Sequence, residues 1–223
     1  MRYMSYHDKE QFLDNCEESI EYIMENRTIL LLLAKDCDDW IRSRVASFLV
    51  CFSDKRVEKC LLKLSKDKHS FVRTEAYDSL GEFTSKRVEK RLRKAIINEK
   101  NELACFYAIL SWVDVVVSRS EICYLNYLFI DSMEKVFHKM GYMHCVLGCY
   151  YGRYCFNDYE VWKEVVRFVS HDNYLVRCVA IDLLIEMMNN ENRDCIQTIM
   201  MNVLENDNSI AVKEKIRELF DKN

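Results

Sequence analysis

The sequence predicts an all-α protein, a solenoid of about six helical hairpins, and three observations carry that reading. Proline is absent and glycine is rare (Pro 0, Gly 4), although strand-rich or doubly wound domains of 223 residues need many turns that those residues supply. Half of the residues are apolar, enough to offset the ordering entropy of a folded chain and to fill a sizeable core. A helical pattern also recurs along the chain: KRVEK begins at Lys55 and again, 31 residues later, at Lys86.

The elements follow in order from that repeat. Shifting the first copy back by the same 31 residues places Leu61, Leu62 and Leu64 on Leu30, Leu31 and Leu33, so a degenerate copy starts near Met24. After each copy comes a second segment with its own signature. Arg42, Arg73, Arg177 and Lys213 each have apolar neighbours at −1, +3 and +7 (Ile41, Val45 and Leu49 around Arg42; Val212, Ile216 and Phe220 around Lys213). That spacing is one face of a helix at 3.6 residues per turn. Polar pairs such as Ser53-Asp54, Thr84-Ser85 and Asn189-Asn190 suit helix caps and short turns. The expected hairpins are 8–53, which includes an extra N-terminal helix, then 54–84, 85–117, 118–156, 157–189 and 190–223. A single hairpin of about this length cannot bury both sides of its second helix, so each needs its neighbour, and residues 1–223 are read as one domain.

These residues resemble HEAT repeats of the short bacterial type related to the bilin-lyase HEAT repeats. Asp36, Asp67 and Asp207 stand six positions before Arg42, Arg73 and Lys213, and His171 takes that place before Arg177. The resemblance covers 24–117 and 157–221 well; over 118–156 only helical periodicity supports the count. It implies a right-handed α-solenoid whose first helices form the convex layer and whose second helices line the concave one. It further implies a structural ladder of Asp36, Arg42, Asp67, Arg73, Arg177 and Asp207, in which the basic residue bonds across to neighbouring repeats.

Charge is unevenly distributed. Residues 1–40 carry 4 basic and 10 acidic groups, residues 53–100 carry 14 and 8, and residues 157–223 carry 8 and 13. The basic block could meet phosphates, but its lysines follow i, i+4 spacing on first helices, where a solvated face is the simpler account. With a sequence pI near 5.8, a nucleic-acid partner is not expected.

The eleven cysteines form no paired pattern, and the N-terminus shows no apolar stretch after Arg2. A reduced, cytoplasmic protein with free thiols is expected, with no membrane segment. His138, His144, Cys145, Cys149 and Cys155 lie close in sequence, but C-x₃-C-x₅-C is too loose for a zinc knuckle, and no metal or cofactor is expected. Catalytic signatures such as G-x-S-x-G, H-E-x-x-H and Gly-rich phosphate loops are missing.

One enzyme reading is left as an alternative. Ser111-Trp112-Val113-Asp114, and Asp172-Asn173-Tyr174 leading to Arg177, are similar to segments of HEAT-like alkylpurine DNA glycosylases. That likeness implies a DNA site at Trp112, Asp114 and Arg177, with the aromatic residue and the acid stabilising a charged lesion. The chain departs from the pattern at Val117, where those enzymes bear a later acid, and its last helix has no tryptophan. The leading expectation is therefore a monomeric, non-enzymatic scaffold or interaction module that holds a protein or peptide on its concave face. Tyr150, Tyr151, Tyr154 and Tyr159 are its candidate contact cluster.

Overall fold

The structure is a computed structural model that describes residues 4–221, with side chains as far as Glu218; Arg2 and the side chain of Phe220 lie outside the described residues. The described residues are helical without a strand, an all-α solenoid built from consecutive hairpins. The chain forms two compact units, Met1–Glu121 and Ile122–Asn223.

In the first unit α1 (Tyr6–Glu18), α2 (Ile20–Glu25) and α3 (Arg27–Leu33) lead to α4 (Asp39–Phe48), which a short 3-10 turn (Leu49–Cys51) closes. Two regular hairpins follow, α5 (Lys55–Leu64) with α6 (Ser70–Leu80) and α7 (Lys86–Asn98) with α8 (Glu102–Ser118). The caps explain the starts. Asp54 accepts from the amides of Arg56 and Val57, Ser85 from that of Val88, and Asn101 from that of Ala104. Asp38-Asp39 opens α4, with Asp38 accepting from the Ile41 amide, so those acids sit at the positive end of the helix dipole. The carboxylate pair Glu17-Glu18 does not share that placement. It closes α1, at the negative end, and Glu17 is instead held by Arg44.

First and second helices differ in what they bury. α5 turns one stripe inward (Val57, Leu61, Leu64), as α7 does with Val88, Leu92, Ala95 and Ile96, leaving the opposite face to charge. The second helices α4, α6 and α8 pack directly on one another while also covering their own partners. They are therefore buried on more than one side, and α8 buries ten residues from Ala104 to Val116, Trp112 among them. Small hydroxyls let these helices approach: Ser79 Oγ donates to the Ala46 carbonyl at 2.8 Å, and Ser111 Oγ, the equivalent residue one repeat on, to the Asp78 carbonyl at 3.5 Å. At Gly81 a β-carbon would stand 3.2 Å from the Asp78 carbonyl oxygen and 3.3 Å from Ser111, so a larger residue there would press on the α6–α8 contact.

The second unit begins with α9 (Tyr124–Met140) and α10 (Met143–Cys155), a complete hairpin in the segment where only periodicity had pointed to one. Gly141, at φ 74°, ends α9 in the left-handed conformation that glycine tolerates best. Next come α11 (Trp162–Val165) with a 3-10 turn (Val166–Phe168), then α12 (Tyr174–Glu186), and the last pair α13 (Arg193–Asn206) and α14 (Ile210–Asp221). Cys145, Gly148, Cys149 and Gly152 are buried along α10. None of the eleven cysteines is joined in a disulfide, and among the described residues no group of three or more metal-ligating side chains comes together.

Trp112 is the largest fully buried side chain, whereas Trp40 is 57% exposed. Trp112→Ala should lower unfolding free energy by about 3–5 kcal/mol, while Trp40→Ala should cost less than about 0.5 kcal/mol. Urea denaturation of the two variants measures the contrast, and equal effects would contradict this core.

Candidate functional site

Three consecutive turns of the first unit are tied by one recurring geometry. Arg42, near the start of α4, places Nε 2.7 Å and Nη2 2.9 Å from the two carboxylate oxygens of Asp67 in the next turn. Its remaining Nη1 donates backward to the carbonyls of Asp36 and Cys37 at 2.8 and 3.0 Å. Arg73 repeats the arrangement one hairpin on. Nε and Nη2 each lie 2.7 Å from the Glu99 carboxylate, and Nη1 donates to the carbonyls of Asp67 and Lys68. A planar fork satisfies a carboxylate and two turn carbonyls at once, which a lysine could not do.

The acids are fixed from both sides. Asp36, Asp67 and Glu99 each accept a backbone amide two residues ahead, from Asp38, His69 and Asn101, which shapes the turn before each second helix. Burial pushes the carboxyls of Asp67 and Glu99 up, but the arginine fork and the amides outweigh it and hold both below their ordinary values. The series has defined ends. Before the first turn Lys9 of α1 pairs with Asp36 at 2.6 Å. After the third, the position of the next arginine is Cys105, a fully buried thiol whose Sγ faces the Ile96 carbonyl at 3.7 Å.

The second unit holds another rung of the same form. Arg177 grips Asp207 with Nε and Nη2 at 2.7 and 2.9 Å, and Nη1 caps the carbonyls of His171 and Asp172. His171 shapes its turn as the aspartates do, with Nδ1 accepting the Asn173 amide at 3.1 Å. Sequence reading missed Glu99 and Lys9. Glu99 was findable, because it stands six residues before Cys105, as each turn aspartate stands six before its basic residue. Lys9 had no signal, since it belongs to a helix outside the repeat.

The exposed side of the second helices is a separate surface. Four residues after each turn acid stand Trp40, Phe71 and Leu103, exposed by 57, 67 and 42%. Behind Phe71 on the same helical face come Glu75 and Asp78, with Glu82 in the turn that follows, and behind Leu103 come Tyr107, Leu110 and Asp114. Burial and the neighbouring Asp78 raise the Glu75 pKa, and burial together with Glu82 raises that of Asp78. Two carboxylates thus stand beside an apolar stripe, Glu75 half-buried and Asp78 exposed. Arg44 on α4 is already engaged by Asp14 and Glu17 of α1, at 2.9 and 2.7 Å.

Other expected site residues fall elsewhere. Tyr150 is a core residue, only 4% exposed, packed edge-on to Phe168 and under the Arg153 guanidinium, so it cannot serve as a contact residue. Tyr151 is half-buried, and Tyr154 and Tyr159 touch edge to face with Tyr159 exposed. The cluster is therefore split by the inward turn of α10. Trp112 has no exposed surface with which to stack a base, Asp114 is exposed on the other side of α8, and Arg177 is committed to Asp207.

Residues 27–105 match HEAT repeats as a family. No curated protein matches the chain. Among solved structures the chain is similar to one from the complex of CpcE and CpcF of phycocyanin lyase from Nostoc sp. PCC7120. The match has 12% identity and a TM-score of 0.59, and covers 97% of this chain and 88% of that one. The likeness is one of fold. Among the described residues no helix is long and apolar enough to cross a membrane.

Breaking a rung leaves a partly buried charge without its partner, so Asp67→Ala or Arg73→Ala should destabilise the first unit by about 1–3 kcal/mol. Because the rung carboxyls are held below their ordinary values, their contribution is complete above about pH 5 and disappears as pH falls through the acid range. The cost of Arg73→Ala in urea should therefore shrink between about pH 7 and pH 3; a cost independent of pH would contradict the assignment.

Proposed function

We propose that this chain, a HEAT-repeat protein over residues 27–105, is a non-enzymatic interaction module that holds a protein or peptide partner on the face of its second helices. The observation that carries this reading is the register of Trp40, Phe71 and Leu103. Isolated exposed apolar residues are ordinary, but large ones at the same position of three successive repeats form a stripe that water solvates poorly. Aromatic anchors of this kind dominate protein interfaces. Glu75 and Asp78 beside the stripe add a preference: a partner carrying a lysine or arginine next to its apolar contacts would pair with those carboxylates.

The similar Nostoc structure is a complex of two proteins, which supports partnership between chains as a use of this fold. A DNA-repair role finds less support, since Trp112 lies in the core and the second-helix surface beside it carries acids rather than the cations a phosphate backbone needs.

Affinity capture with the wild-type chain and with Trp40→Ala/Phe71→Ala tests the proposal. The double variant should keep its melting temperature within about 2 °C, as expected for exposed sites. It should lose the proteins that the wild type retains at moderate salt. An identical captured set from both would contradict it, and base release from alkylated duplex DNA would favour the enzyme reading instead.

A further inference from the structure

The first-helix layer of the first unit contains a second surface of opposite character. Between α5 and α7 runs a cleft of about 370 Å³ whose polar lining is entirely cationic. Lys59, Lys63 and Lys66 enter it from α5 and the turn that follows, and Arg87, Lys90, Arg91 and Lys94 face them from α7. Leu62 and the aliphatic stems of these side chains form its apolar floor.

An i, i+4 lysine pattern on one helix is a common solvated face, but here two such patterns converge on a single groove. The carboxylates that could have neutralised it are committed elsewhere. Glu58 of α5 accepts the Ser85 hydroxyl, Glu89 of α7 pairs with Arg119 at 2.6 Å, Asp67 belongs to Arg42 and Glu99 to Arg73. Among the described residues no ion pair forms to Lys59, Lys63, Lys66, Arg87, Lys90 or Lys94. Arg91 is positioned rather than free: Nε donates to the fully buried Ser65 hydroxyl at 2.8 Å, and its guanidinium lies over the Tyr77 ring. Seven like charges lining one groove repel their neighbours, and an anion seated among them lowers that repulsion.

We propose that the α5–α7 groove is a docking site for a short acidic segment of a protein partner. Its length and surroundings select that occupant. α5 and α7, at 10 and 13 residues, are about 15–20 Å long, enough for five or six residues of extended chain. No exposed aromatic side chain lines the groove to stack a nucleobase. An acidic run with aliphatic residues beside it matches both the cations and the apolar floor. This site is independent of the second-helix surface, so either can fail without the other.

The test uses the full chain and a fluorescent peptide containing six consecutive glutamates flanked by leucines, followed by anisotropy at low and at physiological salt. Wild type should bind, more weakly as salt rises. Lys63→Glu/Lys90→Glu/Lys94→Glu, all exposed positions, should retain the helical spectrum and lose binding by about tenfold or more. Lys135→Glu/Lys163→Glu, reversed in the other unit, should bind as wild type does. Should the triple variant misfold, charge-neutral Lys63→Gln/Lys90→Gln/Lys94→Gln must show the loss instead. Absence of wild-type binding, retention by the folded triple variant, equal loss in the control, or tighter binding of a 20-base-pair DNA duplex than of the peptide would each overturn the proposal.

Discussion

A guanidinium that reaches from one repeat into the next is the contact on which the stacking register depends. Arg42 and Arg73 each hold two turn carbonyls of their own hairpin and the carboxylate that shapes the following turn. One side chain thereby fixes the entry to its own second helix and the distance to the next one. Apolar packing between α4, α6 and α8 supplies most of the burial, but a smooth apolar face permits sliding by a turn. A bidentate pair permits very little, and its value lies in that specificity more than in net stability, since a well-packed apolar pair could equal it energetically.

Committing the carboxylates to rungs has consequences for both surfaces. Asp67 and Glu99, drawn into the turns, are not available to balance the lysines of α5 and α7, and the first-helix layer is left cationic. On the second-helix layer the rungs bring each second helix to the same start. Residues four positions beyond the turn acid therefore line up as Trp40, Phe71 and Leu103, with Glu75 and Asp78 held beside them. The two layers of one unit thus display opposite charge, and both patterns trace to where the arginines find their partners.

Much of the fold was legible because helical solenoids write their period into the sequence. The repeated KRVEK, the apolar stripe around each basic residue and the scarcity of turn formers led to hairpins at the positions where α3–α8 and α11–α14 lie. The pair α9–α10 was visible only as periodicity, since that segment carries neither KRVEK nor the acid-to-arginine spacing. At the sites the limits were different. A six-residue spacing marks where an acid and an arginine share a turn, but not that the arginine's carboxylate lies 25 or 26 residues ahead. Tyr150 shows a second limit: four tyrosines close in sequence cannot be sorted into core and surface until the helix's orientation is known, and α10 turns Tyr150 inward. The exposed stripe stands at −2 from Arg42, Arg73 and Cys105, off the −1, +3 and +7 face that marks the repeats in the sequence.

The direct measurement is a double-mutant cycle on one rung, Arg73→Ala and Glu99→Gln, by urea denaturation at about pH 7. Glutamine keeps a carbonyl oxygen for the Lys100 and Asn101 amides that Glu99 receives, so the cycle isolates the contact between repeats. A register-holding rung predicts that the two changes are not additive, with a coupling of about 1–3 kcal/mol. Costs that add to within about 0.5 kcal/mol would show that the repeats are held by apolar packing alone and contradict the account.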